Sequence, residues 1–175
     1  MENVDALNFA LLLSRVWIAI MIFAHGWRHV KSIQSGPGMA NWFESLGLKP
    51  GKLHAYAVTI TEIGIPFLLL FGLFTPAAYA GVCALMIVAW LTNHLQNGFF
   101  LNTSTEGYEY VATVAFVSIT LATLGAGEWS LDDAFGIFGY DKLGTNLAVA
   151  AILGVGGALA FLAVFWRPPK RDAAG

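Results

Sequence analysis

The sequence has few charged residues and only one cysteine, and each shortage excludes whole classes of protein. Charged side chains make up 11% of the 175 residues, whereas soluble domains carry about 25%. So few charges cannot cover a water-facing surface, so we expect lipid to surround much of the chain. Cys83 stands alone, which excludes an internal disulfide, a CxxC redox pair and a cysteine zinc site.

Sequence motifs that would name a reaction are also missing. The chain has no GxGxxG or Walker-type phosphate loop, no GxSxG nucleophile elbow and no HExxH zinc signature. No pair of carboxylates has a spacing that specifies general acid–base catalysis. The net charge is −2 and basic residues form only short flanking clusters, so we expect no nucleic-acid partner.

Long apolar segments are what the sequence has instead, and five of them predict transmembrane helices of about 20 residues. They cover residues 7–25, 53–74, 77–95, 108–124 and 146–166. Backbone groups in lipid must be bonded within their own segment, so the fold class is all-α transmembrane. Residues 39–46 predict a short interfacial helix, with Trp42 and Phe43 at the level of the lipid headgroups.

Basic residues are unevenly distributed between the two sides of this five-helix arrangement. Lys142 is the only one on the side of the N-terminus, while the other side has Arg28, Lys31, Lys49, Lys52, Arg167, Lys170 and Arg171. Short loops rich in Lys and Arg face the cytoplasm. We therefore predict a multi-pass protein of a bacterial plasma membrane, with its N-terminus outside and its C-terminus in the cytoplasm.

Two charged residues, Arg15 and Glu62, lie well inside predicted spans, where an isolated charge is costly. Counted from the predicted helix ends, their depths differ by only about 5 Å. The two helices are consecutive and antiparallel, so we predict an intramembrane ion pair. The pair would either hold the helices in register or line a polar cavity.

All four histidines fall on the predicted cytoplasmic side, which suggests a ligand site there. His25 and His29 share one helix face because they are four residues apart, and His94, Asn97 and Glu109 belong to the same end. Such a site could bind a quinone or another small molecule with a polar head. A haem or metal at His25, His29 and His94 fits less well, because no metal signature is present. The alternative is that these histidines bind no ligand, and that water, lipid headgroups and loop carbonyls supply their hydrogen-bond partners.

The order of several short motifs resembles the DoxX family of small membrane proteins over about residues 11–134. Segments that match in order are LLLSRVWIAIMIFAHGWRHVK, WFESLGL, TEIGIPFLLLFGLFTPAA, NHLQNGFF, the Glu109–Tyr110 pair and WSLDD at 129–133. Matching polar positions are Arg15, His25, Glu62, His94, Asn97 and Glu109. The resemblance implies a four-helix membrane domain, which we place in residues 1–145. The fifth span, at 146–166, departs from the common pattern of the family and would be an addition to it. A basic cytoplasmic tail at 167–175 follows.

The resemblance also implies a function, because the family takes its name from a subunit of a quinone-linked thiosulfate oxidoreductase. We therefore expect a membrane subunit or anchor of an oxidoreductase or oxidative-stress system, with a soluble or membrane redox partner. The alternative is a transporter, or a chaperone-like receptor for lipids or membrane cargo, without catalytic activity. A third reading is a structural helper in a homo- or hetero-oligomer, joined through the fifth helix, where Gly154 and Ala158 permit close packing.

Overall fold

The computed structural model describes residues 2–102, 106–139 and 142–169, and every regular element within these ranges is a helix. The α-helices are α1 (Glu2–Gln34), α2 (Gly38–Ser45), α3 (Gly51–Phe71), α4 (Thr75–Ala89), α5 (Glu109–Leu124), α6 (Leu131–Ala134), α7 (Leu143–Val149) and α8 (Gly157–Phe165). A π-helical turn, Trp90–His94, and a 3₁₀ turn, Leu95–Asn97, extend α4. A π-helical segment, Ala150–Gly156, joins α7 to α8 without a break. The all-α prediction is confirmed.

Among the described residues, four helices are long and apolar enough to cross a membrane. They are Asn3–Gln34, Gly51–Phe71, Thr75–Asn97 and Leu143–Phe165. Helix α5 is apolar but has only 16 residues, about 24 Å of helix against a hydrocarbon core of about 30 Å. Four of the five predicted spans therefore meet the length requirement, and the crossing of α5 stays a prediction.

Helix packing divides the bundle into two groups with the main core between them. Helix α3 packs against α1 and α2, while α4 packs against α5 and the long C-terminal helix formed by α7 and α8. The largest buried apolar side chains of this core include Ile22, Leu69, Tyr79 and Val82. Large apolar side chains such as Ile60, Phe116 and Ile152 remain 67–74% exposed on the outside, as lipid-facing surfaces require.

The predicted interfacial helix is present as α2, one residue earlier than expected. Trp42 is exposed, as an anchor at the membrane surface would be. Phe43 does not share that position, since it is buried with Met39 against the bundle. The two neighbours therefore lie on different sides of α2. Phe43 packs against the bundle, and only Trp42 can reach the headgroups.

The C-terminal helix is tied into the bundle at its last turn. Trp166 donates its Nε1 hydrogen to the Leu46 carbonyl at 2.9 Å, and the backbone N–H of Arg167 bonds to Gly47 O at 2.9 Å. Gly47 has a φ of 87° and an added Cβ would overlap the Arg167 carbonyl, so only glycine fits there. We call this connection the C-terminal clasp, and it fixes the end of α8 to the α2–α3 connection.

The small residues of the C-terminal helix face its own bundle rather than a partner. Gly154 lies against Ala80 and Cys83 of α4, and Ala158 is 1% exposed. Helix α4 therefore occupies the Gly154 and Ala158 face, and an oligomer through the fifth helix, which stays a prediction, would have to use another face. The opposite face, with Ile152 and Leu159, is exposed. Of the predicted tail, residues 170–175 lie outside the described residues.

Two parts of the chain depart clearly from the pattern of five spans. Helix α1 continues nine residues beyond His25 to Gln34, because Arg28 and Lys31 are good helix formers whose long side chains reach water at a helix end. Between the fourth and fifth spans the chain forms α6 and packs inward, so that Ala126 and Asp132 are fully buried.

Candidate functional site

Arg15 lies at the end of the bundle where α3 finishes, and backbone carbonyls bind its guanidinium. Nη2 donates to the Trp129 carbonyl at 2.6 Å and Nη1 donates to Leu69 O at 3.4 Å. The side chain is 1% exposed. Trp129 belongs to the loop before α6, so this loop folds back over α1 and shields the charge.

Asp132 completes this closed polar end, although sequence reasoning did not single it out. Its Oδ1 accepts the backbone N–H of Phe74 at 2.7 Å, and its Oδ2 accepts that of Thr75 at 2.8 Å. These donors begin α4, where a carboxylate is stabilised by the helix dipole. Asp132 also attracts Arg15 electrostatically. The WSLDD motif was the signal that could have identified it.

Gly72 makes the approach of Arg15 possible. It ends α3 with a left-handed φ of 61°, and an added Cβ would overlap Arg15 Nη1 and lie 2.5 Å from the Ser130 Cβ. Glycine is therefore needed twice here, for its backbone conformation and for the space that it leaves.

Glu62 pairs with His29 and not with Arg15, so the predicted Arg15–Glu62 pair is wrong. Its Oε2 lies 2.8 Å from His29 Nδ1, out of line for a hydrogen bond but close enough for an ion pair. The helices are antiparallel neighbours as predicted, but their register differs. Gly26 lies level with Glu62 and Arg15 lies level with Leu69. Arg15 and Glu62 are therefore separated by about 16 Å along α1.

A cavity of about 910 Å³ opens beside the His29–Glu62 pair, between the two groups of helices. Its wall is mostly apolar, with Met86, Val111 and Phe161 among the lining residues. Polar lining residues are His25, Arg28, His29, Ser32, His54, Thr61, Glu62, Thr92, Asn93, His94, Glu106 and Tyr110. Small-molecule sites in proteins have this volume and this composition, a largely apolar wall with a few polar groups.

All four histidines line this cavity, including His54, which was not among the predicted site residues. His54 is 4% exposed and lies edge-on to Phe161 and Phe165, at ring distances of 5.3 and 5.2 Å. Its Nε2 has no hydrogen-bond partner among the residues that the structure describes. A buried imidazole without a partner is unusual, and a ligand in the cavity could supply one.

His25 and His94 line the cavity from different helical segments, α1 and the turn after α4. The His25 ring stacks on Tyr110 at 6.5 Å. His94 Nδ1 lies 2.7 Å from Glu106 O and therefore donates, because a carbonyl only accepts. Its Nε2 then accepts from Asn93 Nδ2 at 3.3 Å. These two contacts fix the orientation of the His94 ring.

Asn97 and Glu109, the other predicted site residues, are not among those that line the cavity. Asn97 Nδ2 donates to the Glu106 carbonyl at 3.1 Å, beside the His94 bond. Asn97 therefore shapes the loop that carries Glu106 instead of meeting a ligand. Glu109 begins α5, where the helix dipole stabilises a negative charge.

The metal alternative at His25, His29 and His94 has no support in the geometry. Within residues 2–102, 106–139 and 142–169, no three His, Cys, Asp or Glu side chains are grouped so that they could hold a metal ion. The carboxylate nearest to the histidines is already paired with His29. The chemistry of this end is that of hydrogen-bond donors and acceptors around an apolar space.

Comparison with known proteins agrees with the motif order. A protein described as uncharacterized from Haemophilus influenzae is 28% identical over 127 residues, covering 68% of this chain and 83% of its own length. No solved structure matches the chain. The DoxX family model matches residues 10–95, the part that carries both Arg15 and the His29–Glu62 pair. Residues 10–95 therefore match the DoxX family of membrane proteins, and this match supports membership of that family.

Proposed function

We propose that this protein is the membrane subunit of an oxidoreductase system and that it binds a quinone in the cavity of about 910 Å³. The cavity itself is the main support. Ligand pockets commonly measure about 300–1,000 Å³ and combine apolar walls with a few polar groups. A quinone has the same division, with a flat ring that carries two carbonyl acceptors and an apolar tail.

The lining residues match the two parts of a quinone. His25, Arg28 and His54 offer N–H donors to ring carbonyls, while Met86 and Phe161 offer contacts to an isoprenoid tail. Reduction of the ring also needs electrons, which a redox partner outside the membrane would supply.

The partner would dock at the cytoplasmic end, under the predicted topology.

Ser35, after α1, lies at the end of the bundle with the cavity mouth, and Asp133 in α6 lies at the other end. In a Cys83→Ala background, single cysteines at these positions test the orientation. We expect a membrane-impermeant maleimide to label Asp133→Cys on intact cells, and Ser35→Cys only after permeabilisation. The reverse pattern would overturn the topology.

Quinone binding can be measured directly, because Trp42 lines the cavity. We expect decyl-ubiquinone to quench the tryptophan fluorescence of the protein in nanodiscs, in a saturable way. Ala84→Phe should weaken the quenching, because Ala84 lines the cavity and the larger ring would fill it. Ala151→Phe is the matched control on an exposed face. Equal quenching in the two variants would mean that the quinone does not bind in the cavity.

The apolar character of the wall also supports the alternative, a transporter or a receptor for lipid or membrane cargo. Mass spectrometry of the protein purified in mild detergent separates the two functions. Copurified quinone or a redox protein favours the first. A phospholipid that Ala84→Phe displaces, or flux of a solute into vesicles, favours the second.

A further inference from the structure

His29 and Glu62 together connect the wet mouth of the cavity to its buried interior. The His29 side chain is 23% exposed and the Glu62 side chain is 7% exposed. Glu62 lies 11 residues inside α3, about 16 Å from its start. It is therefore the deep member of the pair, and His29 is the member that water can reach.

The packing of α1 on α3 holds these two groups together. Gly26 lies so close to α3 that an added Cβ would stand 3.0 Å from the carbonyl carbon and the Cβ of Glu62. His29 follows three residues later, almost one helical turn of about 5.4 Å. The close contact at Gly26 thus sets the distance at which the imidazole meets the carboxylate.

The other ionisable groups around the cavity have different partners or surroundings. Tyr110 of α5 donates its hydroxyl hydrogen to Met21 Sδ at 2.9 Å, and His94 after α4 bonds to the Glu106 carbonyl. His54 of α3 is enclosed by phenylalanine rings. On α1, His25 stacks on Tyr110, and Arg28 stays charged at neutral pH. Among the described residues, His29 and Glu62 are the lining groups that form an ion pair.

We propose that His29 and Glu62 act as one proton-transfer pair for the bound quinone, an inference that rests on the proposed function. The redox partner supplies two electrons, and the ring takes up two protons in turn. In each transfer the N–H of the His29 imidazolium breaks and its proton passes to the Glu62 carboxylate. The carboxyl O–H formed there then breaks as an O–H forms on a quinone oxygen, and a proton from bulk solvent, delivered through the mouth, returns to His29 and restores the ion pair. Two such passes convert the quinone to the quinol, and quinol oxidation runs them in reverse.

Infrared difference spectroscopy tests this pair in nanodiscs that contain decyl-ubiquinone, with reduction driven by an electrode through mediators. We expect reduction of the wild-type sample to change a carboxylic-acid C=O band. Glu62→Gln should remove that band, and Glu62→Asp should shift it. His29→Gln should slow its recovery at least tenfold. Glu109→Gln is the matched control, because Glu109 does not line the cavity, and it should leave the band unchanged.

The outcomes separate this inference from the proposed function. If Glu62→Gln binds decyl-ubiquinone and keeps the wild-type band, the proton-transfer pair is wrong and the quinone site stands. Should the wild-type protein fail to bind the quinone at all, both the quinone site and the pair are overturned. A band lost in Glu62→Gln, together with retained quinone binding, supports both.

Discussion

The two polar ends of the bundle use charge in different ways. At the closed end Arg15 and Asp132 are 1% and 0% exposed, and backbone groups of three separate segments bind them. At the cavity end His29 Nδ1 and Glu62 Oε2 lie against each other beside an open space, and neither atom has a hydrogen-bond partner within the described part of the chain. The first arrangement holds the fold together. The second leaves polar atoms free for a ligand.

The largest expected effect is at the closed end, where Asp132→Asn should lower the free energy of unfolding by about 3 kcal/mol. Each hydrogen bond to a charged group contributes about 1.5–3 kcal/mol, and the asparagine amide can accept only one of the two. Chemical denaturation in detergent measures the loss. Asp133→Asn is the matched control, since Asp133 is exposed and surface changes stay within about 0.5 kcal/mol. Equal stability of the two variants would contradict a structural role for this end.

Gly72→Ala should give the next largest loss, about 2 kcal/mol or more. A left-handed conformation costs a residue with a Cβ about 1–2 kcal/mol, and the methyl group would also displace Arg15. Gly144→Ala is the control, because an added Cβ meets nothing there. The same denaturation series compares them. If Gly72→Ala unfolds like wild type, Arg15 is not held in the geometry described above.

At the cavity end, the coupling between His29 and Glu62 should contribute less to stability. A double-mutant cycle with His29→Gln and Glu62→Gln should give a coupling energy of about 0.5–1 kcal/mol, because His29 is partly exposed. The cycle is measured by denaturation without added quinone. A coupling energy as large as the loss in Asp132→Asn would remove the distinction between the two ends.

The smallest expected change is at Gly26, where Gly26→Ala should alter stability by less than about 1 kcal/mol. The helix gains propensity, about 0.8–1.0 kcal/mol relative to glycine, but α3 must move by a few tenths of an ångström. The quenching of tryptophan fluorescence by decyl-ubiquinone should weaken even though the stability changes little, because the His29–Glu62 contact opens. Gly64→Ala, which meets no neighbour, should keep normal quenching. Unchanged quenching in Gly26→Ala would show that this contact does not shape the site.

Periodicity and composition predicted the helices well, because a lipid solvent leaves few alternatives for an apolar segment. Residues 39–46 and 53–74 were predicted close to the observed α2 and α3. The ends of α1 were not, since apolar content marks the hydrocarbon core and says little about turns that continue into water. The structure extends α1 from Glu2 to Gln34.

The charged contacts were harder to predict, because they depend on helix register and on the paths of loops. Placing Arg15 and Glu62 at similar depth required the helix ends to be known, and a shift of three turns changes every partner. The partner of Arg15 is a carbonyl of Trp129 in a loop, which no pattern of charges can reveal. All four histidines were predicted to share one end and do so. His54 was not predicted as a site residue, because its place in the cavity wall depends on its contact with Phe161.

The C-terminal clasp has a consequence for how the site comes into being. Phe161 and Ala158 form one wall of the cavity, and the clasp at Gly47 positions that wall from the far end of the chain. During synthesis residues 10–95 therefore enter the membrane before this wall of the cavity is in place. A shortened chain that stops before α7 would lack the Phe161 and Phe165 rings that cover His54, so α8 is needed to enclose this side of the cavity.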